Sequence, residues 1–205
     1  MGLYARRVFP RLMNLAMDSR VVARERAGLV PAATGRVLEV GIGSGLNIPY
    51  YTGAVECLCG IDPSIELWRL GRRSAARAPF PVRFIRASAE VLPVATGTFD
   101  TVVTTWTLCS IADPGAALAE MRRVLAPGGR VLFIEHGGSP EPRVLAWQNR
   151  ITPVWRRLAG GCHLNRPIAD MVRAAGLRLE LMDVGYGEGP KIFTYRWKGV
   201  ATAES

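Results

Sequence analysis

Glu39-Val40-Gly41-Ile42-Gly43-Ser44-Gly45 is the stretch on which the fold turns. It follows the apolar run Arg36-Val37-Leu38-Glu39-Val40-Gly41, which reads as a strand, and it precedes a short helix. Glycines at these places let the backbone turn tightly and approach a ligand with no Cβ in the way. A helix starting here offers free N–H groups. The spacing is Gly-x-Gly-x-Gly, and the residue after Gly45 is Leu46. A dinucleotide site prefers Gly-x-Gly-x-x-Gly, with room for a pyrophosphate. The tighter loop suits a ligand whose amino-acid part lies across it. Asp62 stands nineteen residues after Gly43, at the end of the next apolar run. A carboxylate there can accept both hydroxyls of an adenosine ribose. These features alone leave a nicotinamide enzyme as a rival.

Working outward, short β-rich runs alternate with helical ones. Strands are predicted from Arg36, Glu56, Val82, Thr101 and Arg130, the last ending at His136. Between them, 65–78 and 115–125 carry apolar residues at helical spacing. Strand–helix alternation with near-continuous apolar strands predicts a parallel sheet covered on both faces. Pro127-Gly128-Gly129 turns the chain from helix into strand. Leu177–Val184 and Lys191–Trp197, joined by a Gly-rich turn, read as a β-hairpin completing the sheet. Two regions stand outside the alternation. Leu3 to Gly28 reads as one or two helices broken at Pro10. Pro140 to Asn165 reads as an amphipathic helix (Val144, Leu145, Trp147, Ile151, Val154, Trp155, Leu158) ending at Gly160-Gly161. Insertions near strand ends are where specificity usually lives.

The chain has 205 residues, enough for one buried core, and a single domain over 1–205 is expected. No run of 18 apolar residues predicts a membrane span, and no secretion leader is evident. Four scattered cysteines (Cys57, Cys59, Cys109, Cys162) read as reduced thiols of a cytoplasmic protein. No zinc spacing appears, so no metal is expected. The net charge is +9, but 24 of the 26 basic residues are Arg and they are dispersed, which argues against a nucleic-acid partner. From Met1 to Arg36 seven Arg stand against Asp18 and Glu25. This basic segment is either a solvated helix face or a peripheral contact with anionic lipid.

A third landmark completes the set: Arg86-Ala87-Ser88-Ala89-Glu90-Val91-Leu92-Pro93, then Gly97-Thr98-Phe99-Asp100 leading into a strand. From Val37 to His136 the order of landmarks resembles class I S-adenosylmethionine-dependent methyltransferases of the methyltransferase domain 11 type. The resemblance implies a doubly wound, mostly parallel, Rossmann-like seven-stranded sheet with a C-terminal antiparallel hairpin. It divides the chain into a helical lid (1–30), a donor-binding core (36–136) and an acceptor-side insertion (140–166). It also implies that Glu39, Gly41, Gly43 and Gly45 hold the methionine part of the donor, Asp62 the ribose, and Ser88, Ala89 and Glu90 the adenine. Thr105 joins this donor set. Ser88 stands where the family usually carries Asp.

A narrower resemblance covers the acceptor end. Val103–Ser110, Phe133–His136, Trp147-Gln148, Pro153-x-Trp155 and Gly161-Cys162-His163-Leu164-Asn165-Arg166 are similar to a bacterial family related to vertebrate membrane-associated thiol methyltransferases. In those, the last stretch runs Gly-Cys-x-Leu-Thr-Arg, from which Asn165 departs. This implies a small-molecule acceptor, a thiol or sulfide, with a phospholipid amine or quinone precursor as the alternative. Trp106, Cys162 and Arg166 are expected to line its pocket. His136, at a strand end, and His163 are candidates for a base, or are hydrogen-bonded structural histidines.

Overall fold

The computed structural model describes residues 14–203. Seven strands form one sheet in the order β3-β2-β1-β4-β5-β7-β6. They are β1 (Gly35–Val40), β2 (Val55–Ile61), β3 (Val82–Ile85), β4 (Phe99–Thr105), β5 (Leu125–His136), β6 (Leu177–Tyr186) and β7 (Tyr195–Ala203). The first five run parallel, and β7 runs antiparallel to both β5 and β6. The chain leaves β1 towards β2 and β3, then returns to place β4 on the other flank of β1. That reversal makes the carboxyl ends of β1 and β4 the ligand crevice of such a sheet.

Alternation along the strands sorts the core into two layers. Leu38, Val40, Val102, Val131 and Phe133 point to one face, where Leu118 and Met121 of the helix α3 (Pro114–Val124) and Val172 of α5 (Ile168–Ala174) close over them. Val37, Leu58, Val103, Leu132 and Ile134 point to the other, against Leu29, Val30, Ile48, Tyr51 and Phe80. Of the remaining helices, α1 spans Arg20–Ala27, α2 Ile65–Arg77, α4 Pro142–Leu158 and α6 Lys191–Thr194. The side chains of Ser64 and Asp113 cap α2 and α3 by accepting from Leu67 N and Ala116 N.

Three local expectations are corrected. No α-helix follows the glycine loop; a single 3-10 turn, Ile48–Tyr50, takes its place. Lys191–Thr194, read as strand, is the helix α6, and β7 instead runs on to Ala203. The face of α4 is also different. Gln148 and Thr152 are its buried residues, whereas Trp147, Val154 and Leu158 are 56%, 59% and 68% exposed. Gln148 draws that face inward by accepting from Ser139 N (2.9 Å) and donating to the carbonyls of Gly137 and Ile192 (3.3 Å each). Hydrogen-bonding capacity, not apolarity, therefore sets the rotation of this helix. No described helix is long and apolar enough to cross a membrane. Leu3, Pro10 and the rest of 1–13 lie outside the described residues.

Candidate active site

A cavity of about 440 Å³ opens at the carboxyl ends of β1 and β4. Its size falls in the usual range of small-ligand pockets, ~300–1,000 Å³. Glu39, Gly41, Gly43, Asp62, Ser88, Ala89, Glu90, Thr105 and Trp106 line it. Gly45, Cys162, Arg166 and both histidines are not on that wall.

One side of the cavity is built from the loops after β1 and β2. Gly43 has φ +52°, and a Cβ there would find nothing nearer than 3.9 Å. The backbone is thus bare towards the cavity. Gly41 is different: a Cβ would fall 2.1 Å from Thr107 Oγ1. Its glycine is needed for packing against the loop after β4. Asp62 accepts from Gly43 N (3.0 Å) and Ser64 N (2.7 Å). Burial pushes its carboxyl upward, against these two bonds. A carboxylate has about four lone-pair sites, so Asp62 keeps capacity for a diol.

Glu39 is fully enclosed on the same side. It accepts from Asn47 Nδ2 (2.9 Å) and Tyr51 Oη (2.7 Å). Burial raises its pKa to about 7 despite those bonds. Asn47 spends its whole amide here. Nδ2 also donates to Thr105 Oγ1 (3.0 Å), and Oδ1 accepts from Arg26 Nε (3.0 Å). Arg26 lies over the Trp106 ring, 5.0 Å from its centroid, and lines the cavity with Asn14 and Met17. Trp106 is held at φ +50°, a strained backbone for a bulky residue.

The opposite wall is the loop after β4: Trp106, Thr107, Ser110, Ile111 and Ala112, met by Ala159 and Gly160 at the end of α4. Two buried residues hold it from behind. Glu135 of β5 accepts from Thr104 Oγ1 (3.0 Å), Thr107 N (3.1 Å) and Cys109 N (3.3 Å). Burial lifts its pKa to about 7. Arg166 donates to the carbonyls of Leu108 and Ile111. Expected to line the acceptor pocket, Arg166 is instead consumed by backbone, because the turning loop leaves two carbonyls that nothing else satisfies. His163 accompanies it, with Nδ1 3.3 Å from Cys109 O and 3.2 Å from Arg166 Nη2. His136 Nδ1 lies 3.9 Å from Cys162 Sγ. The Cys109 thiol and His136, with the Trp155 indole, stabilise Cys162 as thiolate; Cys109 is pushed the other way. Of Trp106, Cys162 and Arg166, expected to line the acceptor pocket, only Trp106 does, and neither candidate base, His136 or His163, reaches it.

Residues 38–133 match the family model described as a methyltransferase domain. Thiol S-methyltransferase TMT1B of Homo sapiens is 36% identical over 173 residues, covering 77% of this chain and 70% of that protein. The chain belongs to the class I S-adenosylmethionine-dependent methyltransferases. TMT1B of Rattus norvegicus is 37% identical over 134 residues, so the chain spans about half (54%) of that relative. Phosphatidylethanolamine N-methyltransferase of Cereibacter sphaeroides is 37% identical over 115 residues, covering 55% of this chain and 56% of that protein. Among solved structures, the methyltransferase complexed with the Haloferax volcanii Trm112 activator has a TM-score of 0.74 at 19% identity, covering 97% of this chain and 98% of that one. That likeness is one of fold.

The donor set of the methyltransferase fits S-adenosylmethionine. A bare glycine backbone, a carboxylate with spare lone pairs beside it, and a second buried carboxylate face one cavity. Two of its most heavily bonded side chains were not singled out in the sequence. Asn47 sits inside a loop with no periodic pattern, and Arg26 was one of seven dispersed arginines; neither carries a local signal.

Proposed function

We propose that this methyltransferase methylates the sulfur of a small thiol or of sulfide. The supporting observation is the composition of the wall opposite the glycine loop. Trp106, Thr107, Ser110, Ile111, Ala112, Ala159 and Gly160 contribute no carboxylate and no imidazole. The ionisable acids of the cavity, Glu39, Asp62 and Glu90, belong to the other side. An ammonium acceptor must shed a proton of pKa near ~10 and would favour a base at that wall. A thiol of pKa near ~8.5 is already a few per cent thiolate at neutral pH and needs only alignment. Arg26, beside Trp106, supplies the one cation among the described lining residues.

When bound, the sulfonium supplies an activated methyl carbon. The acceptor sulfur forms the new C–S bond as the old one breaks, and the bonding pair returns to the donor sulfur. The thiol proton leaves to water before attack. Glu39 and the glycine loop hold the methionine part, Asp62 the ribose, and Ser88, Ala89 and Glu90 the adenine. Thr105 and Trp106 set the line of approach. Such positioning is worth up to about 7–11 kcal/mol in the best model systems. The N-terminal segment, whose described end reaches the cavity through Asn14, Met17 and Arg26, acts as a lid over the donor. Donor binding should therefore slow hydrogen exchange over 14–28; equal exchange with and without donor makes the segment static.

A second reading, transfer to a phospholipid amine or quinone precursor, is favoured by one feature. Trp147, Val154 and Leu158 form an exposed stripe on α4, which ends at the cavity wall. Labelled donor offered to thiols, sulfide, quinols and phosphatidylethanolamine vesicles separates the readings. Label in thioethers is expected; label only in amines, lipids or quinols overturns the thiol assignment.

A further inference from the structure

Three residues far apart in the sequence meet behind the acceptor wall. Cys109 lies in the loop after β4, His136 ends β5, and Cys162 follows the Gly160-Gly161 turn beyond α4. Their ligating atoms all lie within 4.8 Å of one another. Zinc sites use Zn–S near ~2.3 Å and Zn–N near ~2.0–2.1 Å. Two ligands of one tetrahedral ion then stand within ~4 Å of each other, and Cys162 Sγ to His136 Nδ1 is 3.9 Å already. The side chains therefore need only small adjustments to meet one ion.

We propose that Cys109, His136 and Cys162 form a three-ligand binding site for Zn²⁺. The charges around it support a divalent cation. Two thiolates match the charge of Zn²⁺, and the buried Glu135 carboxyl, which accepts from Cys109 N, lies beside them. Loading releases thiol protons to solvent. The surroundings resemble an outer ligand shell. The buried Trp155 Nε1 has no hydrogen-bond partner among the described residues. Half-buried His136 gives the ion its approach from solvent, while both cysteines are buried. The fourth position falls to water.

The ion would add a direct tie among three segments already joined by the Glu135 and Arg166 bonds. Ser110 on one side and Ala159 and Gly160 on the other border the cavity, so zinc would fix the width of the acceptor wall. The proposal stands whether the acceptor is a thiol or a lipid amine, and its test does not use turnover.

The full chain, stripped with chelator, is titrated with Co²⁺ and then Zn²⁺. The expected result is one ion per chain, with thiolate-to-cobalt charge-transfer bands and the visible bands of tetrahedral cobalt, both bleached by Zn²⁺. Cys109→Ser and Cys162→Ser should each weaken binding at least tenfold. His136→Asn should shift the bands, and Cys57→Ser should leave them unchanged. Retained binding of the demethylated donor checks that each variant is folded. Should the cysteine variants not fold, X-ray absorption at the zinc edge of the wild type decides, with two sulfur and one imidazole ligand expected. No stoichiometric binding, a shell of oxygen and nitrogen only, or spectra indifferent to Cys109 and Cys162 overturns the site.

Discussion

The two walls of the cavity are made in different ways. The donor wall comes from 39–47, 62–64 and 88–90, three short stretches at successive strand ends. Some of its bonds are short in sequence, such as Asp62 to Ser64 N and Glu39 to Asn47. The acceptor wall is one loop after β4, held from behind by Glu135 and Arg166, residues 26 to 58 positions away. The donor wall therefore presents its polar groups to the cavity, while the acceptor wall spends its polar groups on its own backbone. A wall of the second kind offers shape rather than charge to its ligand. That difference says that damage to one wall should be separable from damage to the other.

The largest separation is expected from Asp62→Ala. Two hydrogen bonds to a charged acceptor, at about 1.5–3 kcal/mol each, amount to at least a ~100-fold rise in the dissociation constant of the demethylated donor. Calorimetry on the folded variant reads it, and an unchanged constant puts the ribose elsewhere. Arg166→Leu strikes only the far wall. It leaves the Leu108 and Ile111 carbonyls unsatisfied, about 2 kcal/mol or more, roughly 4–8 °C in Tm. Acceptor kcat/KM should fall while donor affinity stays within twofold; a matching loss of donor affinity would mean the walls are not independent.

A smaller effect comes from pH. Burial holds Glu39 at a pKa of about 7, and an ammonium on the donor favours the ionised carboxylate. Donor affinity should rise with pH up to about 7 and then level off, with about tenfold lost per unit below. Glu39→Gln should abolish the slope while leaving the acceptor KM alone. A slope that persists in Glu39→Gln assigns the titration to another group. The smallest effect is expected from Trp147→Ser with Val154→Ser on the exposed stripe. Tm should move little, ~0.5 kcal/mol or less in stability, and the rate on soluble thiols should not change. A fall in that rate would make the stripe part of the acceptor wall.

The donor wall was largely legible because its constraints are local. A backbone that must turn bare against a ligand requires glycine, and a strand-end carboxylate sits at a fixed distance along the chain; Gly43 and Asp62 record both. The five parallel strands were legible for the same reason, through their apolar runs. The acceptor wall was not. His136, His163, Cys162 and Arg166 are each conspicuous, yet whether such a side chain meets solvent, backbone or ligand depends on which carbonyls another segment leaves open. The rotation of α4 is a second case. Apolar spacing pointed Trp147 inward, but the carbonyls of Gly137 and Ile192 required Gln148 there.

The sequence by itself determined the parallel strands covered on both faces, the glycine loop and the acid after β2, because steric and hydrophobic periodicities act between near neighbours. Only the tertiary structure decided that Asn47 and Arg26 join Glu39 and Trp106, that Arg166 braces a loop, and that Cys109, His136 and Cys162 share one place. Such pairings are satisfied polar valences between distant segments, and satisfaction depends on the whole fold rather than on spacing along the chain.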